Sequence, residues 1–236
     1  MTFRSLFFVF ASSGLPLSLV GLVMSAVSPA IQGKSLKRKL LLEAAYDVFS
    51  AMGYYRTRLE DVAAQAGYSK ASVYNYFEDK EELFLQTSIA ASADIVESLK
   101  AELEPHESAT EAIRCMLRHL LSDAGDLYSF VQAVTEYHGE LQRSGKRGSD
   151  RDRLIDEHLK GLRGILQVLA KAIDEGKKSG EFGSTLDAMA GARLLTGLVR
   201  SVLLRWRLDG EKNDIESELS QIMNFAECGL RGAGSE

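Results

Sequence analysis

The sequence has little of what stiffens or staples a chain: three prolines, two cysteines and one tryptophan in 236 residues. So few prolines leave long stretches free to be helical, and strand-like alternation is scarce. Cys115 and Cys228 are too few and too far apart for a disulfide or metal framework, and read as buried free thiols of a reducing compartment. The tools of common enzymes are missing as well. There is no Gly-Lys-Ser/Thr phosphate loop, no Gly-x-Ser-x-Gly elbow and no His-Glu-x-x-His helix. His138-Gly139-Glu140 echoes the His-x-Glu of zinc deaminases, but no Pro-Cys-x-x-Cys completes the ligands. Cys115 and His119 lie four apart on a helical pattern and could share a metal. No further ligand is evident, so core packing is the better reading. The expectation is a non-enzyme without metal or cofactor. What is present, 45% apolar and 26% charged residues, describes an ordinary folded protein with a substantial core.

The net charge of −5 is unevenly spread. Lys34 to Lys80 carries eight basic residues against six acidic ones, and the acidity lies in the remainder. A locally basic face on an acidic whole is compatible with binding phosphates.

Residues 1–33 form an apolar extension in which Arg4 is the only charge. Its length suits a secretion signal or membrane span. Pro16, Gly14, Ser12 and Ser13 interrupt it, and Pro29 follows the one small-x-small site, Ala26-Val27-Ser28. The cluster Lys34, Lys37, Arg38 and Lys39 follows the run, which would hold the next domain in the cytoplasm. Three readings stand: translation that truly begins at Met24, an anchor formed by residues 5–27, or an extension of no fixed role.

Ser35 to Met52 is a helix by the recurrence of Leu36, Leu40, Ala44, Val48 and Met52, flanked by Leu41, Ala45 and Phe49. Ser35 is its expected cap and Gly53 its terminator. Its basic front, including Lys37, reads equally as a phosphate-touching arm or a solvated helix start. Thr57-Arg58-Leu59-Glu60 then has the form of a capping box. The helix it opens buries Leu59, Val62, Ala63 and Ala66 and stops at Gly67. Ser69 caps the next helix, Lys70 to Phe77, and Asp79 with Glu82 opens a third. Two short helices across a Gly-containing turn make a helix-turn-helix, whose second member is built for a DNA major groove. Val73 and Phe77 face the core of that second helix. Lys70, Ala71, Ser72, Tyr74 and Asn75 remain outside, a mixture of small, hydroxyl, amide and cationic groups suited to base edges and phosphates.

From about Lys37 to Leu83 the chain resembles the DNA-binding domain of the TetR family of bacterial transcription regulators. The likeness rests on Ala45-x-x-x-Phe49-x-x-x-Gly53-Tyr54, Thr57, Val62-Ala63-x-x-Ala66-Gly67, Ser69-Lys70, Tyr74-x-Tyr76-Phe77 and Lys80-Glu81-x-Leu83. Tyr68 and Ala71 depart mildly from the pattern. The resemblance implies an all-α fold: a three-helix DNA-binding head at 34–83, then a larger helical ligand-binding and dimerisation domain at 84–236. It implies that Thr57, Arg58 and Lys80 meet phosphates and that Lys70, Ala71, Ser72 and Asn75 approach bases or nearby backbone. Tyr74 and Tyr76 would pack on sugar and phosphate. Glu60 is read as the capping partner and Asp61 as a complement to the helix dipole.

Beyond Asp79 the pattern gives a long helix to about Leu103, then helices at 109–124, 126–143, 151–178, 186–208 and 215–230. By the resemblance a small-molecule effector of unknown identity binds among them, with Met116, His119, Leu120, Tyr128, Phe130, Val134, Tyr137 and His138 as lining groups. The last two helices would pair across a homodimer through Leu195, Val199, Val202, Leu203, Trp206 and Ile222. Intramolecular core is the rival reading for Leu203 and Trp206. A helix-turn-helix reading two half-sites also expects a symmetric dimer on geometric grounds. The function so implied is a cytoplasmic, ligand-responsive repressor that binds a palindromic double-stranded DNA operator and is released by the effector. The alternative is a membrane-tethered regulator anchored by residues 5–27, the membrane being a partner only if that run is real.

Overall fold

The computed structural model describes residues 29–103, 106–122, 124–144, 149–183, 185–209 and 214–231, and all regular structure among them is helical. The helices are α1 (Pro29–Arg56), α2 (Leu59–Gln65), α3 (Lys70–Tyr74), α4 (Lys80–Ala101), α5 (Ala109–Ser122), α6 (Ala124–Ser144), α7 (Ser149–Lys178), α8 (Ala188–Asp209) and α9 (Ile215–Arg231). The apolar run at 5–27 and Met24 lie outside the described residues. Among the described residues no helix is long and apolar enough to cross a membrane.

Helix α1 begins at Pro29, ahead of the expected Ser35 cap, because proline suits a first turn whose N–H has no partner. Its helical path breaks at Gly53, where φ is +77°, a conformation that only glycine adopts cheaply. A Cβ there would also fall 2.8 Å from the Glu136 carboxylate of α6. The buried face is rotated from the one expected. Leu41, Ala45 and Phe49 are its centre, with Ala44 and Val48 beside them, whereas Leu36 and Leu40 are exposed. Near the start of α1 the predicted stripe is exposed among the described residues, so periodicity alone puts it about one residue off.

The turn from α2 to α3 is built as its sequence dictates. Gly67 takes φ +71°, Ser69 accepts the Ser72 N–H at 3.2 Å, and Val73 and Phe77 are buried. Helix α3 is shorter than expected, since Asn75 already serves as its C-cap and Phe77 reaches the core through the turn that follows. Asp79 caps α4 by accepting the Glu82 N–H at 2.8 Å. The Glu82 carboxylate accepts the Glu78 N–H at 2.7 Å, fixing the entry into that helix.

Helix α1 lies along α6, α4 lies along α7, and α7 also carries α8 and α5; α9 closes against α5 and α8. Two cores result. The head core of Leu41, Phe49, Val62, Val73, Phe77, Leu83 and Phe84 is completed by Phe130, Ala133, Val134 and Tyr137 of α6 and Ile155 of α7. The rings of Phe49, Tyr54, Phe130 and Tyr137 surround Phe84 with centroids 4.9–5.8 Å away. The second core joins α5, α7, α8 and α9.

The arrangement bears on two expectations. Met116, Leu120 and Tyr128 belong to the second core, while Phe130, Val134 and Tyr137 belong to the head core, because α6 serves both. His119 and His138 are half-buried. Leu195, Val199, Val202, Leu203, Trp206 and Ile222 are all buried within the single chain, the rival reading for Leu203 and Trp206. Among the described residues of these two helices, the large apolar groups left exposed are Leu194, Leu204 and Leu208 of α8 and Phe225 of α9. The cysteines are not buried either: Cys115 is half-buried and Cys228 exposed.

Candidate nucleic-acid interface

Lys70, Ala71 and Tyr74 of α3 and its C-cap Asn75 are exposed around the buried Val73. Ser72 is half-buried, its hydroxyl 3.0 Å from that of Ser69, so cap and first-turn hydroxyls hold each other in place. Tyr76 is half-buried beside Phe77, with ring centroids 6.4 Å apart. Among the described residues the Asn75 carboxamide has no hydrogen-bond partner, which leaves its donor and acceptor available together. The Lys70 ammonium lies 5.6 Å from the Tyr74 ring centroid and pairs with Glu60 of α2. The hydrogen bond with Lys70 holds the Glu60 carboxyl below its ordinary range and raises the lysine in turn. Both groups are half exposed, so the pair is easily exchanged for a phosphate.

The expected capping box is realised one residue along. Arg58 is the N-cap, and its N–H donates to the Asp61 carboxylate at 2.9 Å. Glu60 is turned to Lys70 instead. Thr57 is only 2% exposed, and its hydroxyl donates to the Gly53 carbonyl at 2.8 Å. Its side chain thus closes the end of α1 and does not face outward, while Arg58 is exposed at the start of α2. Lys80 is likewise turned inward. Its ammonium donates to the carbonyls of Tyr54 and Tyr55 at 3.0 and 3.2 Å and sits 4.6 Å above the Tyr54 ring. Burial lowers its pKa. This role is invisible in the sequence, since the partners lie 26 and 25 residues away. Lys37 is exposed and stands over the Tyr68 ring at 5.9 Å, on the flank of α2 and α3.

Behind this face a polar joint ties the head to the body. Arg151 of α7 bridges Asp79 at 2.9 Å and Glu81, and the Tyr137 hydroxyl of α6 donates to Glu81 at 3.2 Å. Although burial pushes Asp79 upward, the Glu82 N–H and Arg151 bring it below its ordinary value. Burial and the Glu81 charge raise the Tyr137 phenol. Further along, His158 Nδ1 meets the Ser88 hydroxyl at 2.9 Å and its Nε2 meets His138 Nε2 at 3.1 Å. No sequence signal pointed to this joint, because its members come from three helices distant along the chain.

A capped helix pair with an exposed mixed-polarity second helix, seated on a larger helical body, defines a helix-turn-helix transcription regulator. Family comparisons agree along the chain. Residues 41–87 match the model of bacterial regulatory proteins, tetR family, and residues 91–226 match the C-terminal region of YsiA-like proteins. The chain belongs to the TetR family. It is similar to the fatty acid metabolism regulator protein of Bacillus subtilis (strain 168), 24% identical over 198 residues, which are 84% of this chain and 97% of that protein. The HTH-type transcriptional regulator TtgR of Pseudomonas putida is 26% identical over 196 residues, 82% of this chain and 89% of its own. Among solved structures, FadR from Bacillus subtilis in complex with stearoyl-CoA superposes with a TM-score of 0.66 at 22% identity, covering 81% of this chain and 98% of that one. At that identity the likeness speaks for the fold.

Proposed function

We propose that the protein is a cytoplasmic, homodimeric repressor that holds a palindromic operator and lets go when a small molecule occupies its body. The observation that carries this reading is the outward face of α3, where Lys70, Ala71, Tyr74 and Asn75 stand on a pair of helices fixed by Gly67 and Ser69. Small Ala71 permits close approach, Asn75 offers paired bonds to a base edge, and Lys70 and Tyr74 serve phosphate and sugar. Arg58, at the positive end of α2, adds a second phosphate contact. A gel shift on the DNA upstream of its own gene tests the reading directly. A retarded band abolished by unlabelled specific DNA is expected, and absence of any specific complex would sink it.

For the effector we take an open cleft of about 500 Å³ between α4 and α7, lined by residues other than those named from sequence. Val96, Leu103 and Val168 give it an apolar floor, and Lys100 and Lys171 stand exposed at its rim. Apolar floor and cationic rim fit a ligand with a hydrocarbon chain and an anionic head. Stearoyl-CoA, held by the similar FadR, is the probe to use. It should disperse the shifted band, and Lys100→Glu with Lys171→Glu should blunt that response without changing the shift itself. A response unaltered by both changes would place the effector elsewhere.

A further inference from the structure

One cluster lies apart from the DNA face and next to the effector cleft, whose Lys100 and Leu103 flank its Glu102. Glu102 is the C-cap of α4, His106 leads into α5, and Cys115 is in the second turn of α5. Their donor atoms, a carboxylate oxygen, an imidazole nitrogen and the thiol sulfur, all lie within 4.8 Å of one another. Among the described residues the buried His106 Nε2 has no hydrogen-bond partner, while Glu102 Oε2 stands 3.6 Å from it, just beyond reach. A buried nitrogen left unpaired is costly, so its presence among two other ligand atoms asks for an explanation.

We propose that Glu102, His106 and Cys115 bind a divalent transition ion, Zn²⁺ before others. Thiolate, imidazole and carboxylate together select zinc and its neighbours and reject Mg²⁺ and Ca²⁺, which want oxygen alone. Tetrahedral zinc at its usual bond lengths separates its donors by roughly 3.3–3.7 Å, so side-chain rotation of about 1 Å brings this set into place. Glu111, whose carboxylate accepts from the Cys115 thiol at 3.7 Å, or a solvent molecule takes the fourth position. Arg118 also touches Sγ, at 3.8 Å, but its charge is already matched by Glu216 at 2.8 and 3.1 Å. On loading, the Cys115 S–H bond breaks, its proton goes to solvent and an S–Zn bond forms, without any change of oxidation state. The ion would pin the end of α4 to α5. The sequence paired Cys115 with His119, one turn further on, and so missed the two ligands that precede α5.

Titrating the full chain with Co²⁺ tests the site independently of DNA or effector. Expected is one equivalent per protomer, with a thiolate-to-cobalt charge-transfer band that Zn²⁺ displaces. Cys115→Ser should abolish the band, Cys228→Ser should leave it, and His106→Gln should weaken Co²⁺ binding roughly tenfold or more. Should Cys115→Ser not fold, alkylation of the wild-type chain decides: Zn²⁺ should slow labelling of Cys115 and spare that of Cys228. Absence of the band in the wild type, its survival in Cys115→Ser, or unchanged Cys115 labelling under Zn²⁺ overturns the proposal.

Discussion

Tyr74 and Asn75 end a helix of five residues, and their neighbour Val73 is wholly buried, so the two side chains leave the head from a fixed base. In the proposed complex Asn75→Ala should relax sequence choice at one position, at a cost of about 1–3 kcal/mol on the preferred site and little on random DNA. Tyr74→Ala should instead weaken all sequences alike. Affinities measured on the operator and on a scrambled duplex separate these outcomes, and equal losses for both variants would defeat the assignment. Lys80 makes a different prediction. Because its ammonium supplies the carbonyls of Tyr54 and Tyr55, Lys80→Ala should lower stability by about 1–3 kcal/mol while leaving the salt dependence of DNA binding unchanged. Lys70→Ala should reduce the salt slope by about one and leave the melting temperature alone. A reduced slope in Lys80→Ala with unaltered melting would return that lysine to the phosphate backbone. Local chemistry made Gly67, Ser69 and Asp79 legible in the sequence, since each acts within three residues of itself. The partners of Thr57, Glu60 and Lys80 are harder to read: Thr57 turns back four residues to Gly53, while tertiary neighbours decide the other two, α3 for Glu60 and the end of α1 for Lys80.

Every helix beyond the head could be located by its apolar recurrence, but a period of 3.6 does not say which face meets which neighbour. Helix α6 illustrates the loss, for its early turns feed one core and its later turns the other. The polar joint across α4, α6 and α7 was invisible for the same reason. Its consequence can be measured through His158, which is fully buried, and whose imidazole is brought down to about 4 by burial and the adjacent His138. In the unfolded chain the group returns to its ordinary 6.5. Below that pH the unfolded chain takes up a proton that the folded one refuses, so stability is intact above about 6.5 and drains away as the pH falls towards 4. The loss attributable to this one group is bounded by about 3 kcal/mol. Denaturation midpoints followed from pH 7 to 4.5 should fall in the wild type and fall less in His158→Gln, whose amide can still reach Ser88. Parallel curves for the two proteins would remove His158 as the cause.

At the scale of the molecule, the surface that a single chain leaves apolar is the argument for a second copy. On α8 the positions 194, 197, 201, 204 and 208 repeat at alternating steps of three and four, and Leu194, Gly197, Ser201, Leu204 and Leu208 line the outward side of the helix, the three leucines exposed. Leu208 is 75% and Phe225 of α9 67% exposed, large apolar groups that a second copy would cover. The stripe expected from sequence, Leu195 to Trp206, lies about one residue round the same helix and packs inward. Helix α8 is apolar on both sides, and sequence periodicity cannot rank two such stripes. The two faces answer differently to substitution. Leu204→Glu should leave helicity and melting of the chain near wild type but shift it to monomer by sedimentation. Operator affinity should then fall by about 10²-fold or more, because one protomer no longer carries its partner to the second half-site. Trp206→Ala, opening the core, should cost about 3–5 kcal/mol of stability. If Leu204→Glu stays dimeric while Trp206→Ala dissociates without unfolding, the inward stripe is the interface after all and the pairing drawn from the exposed residues is wrong.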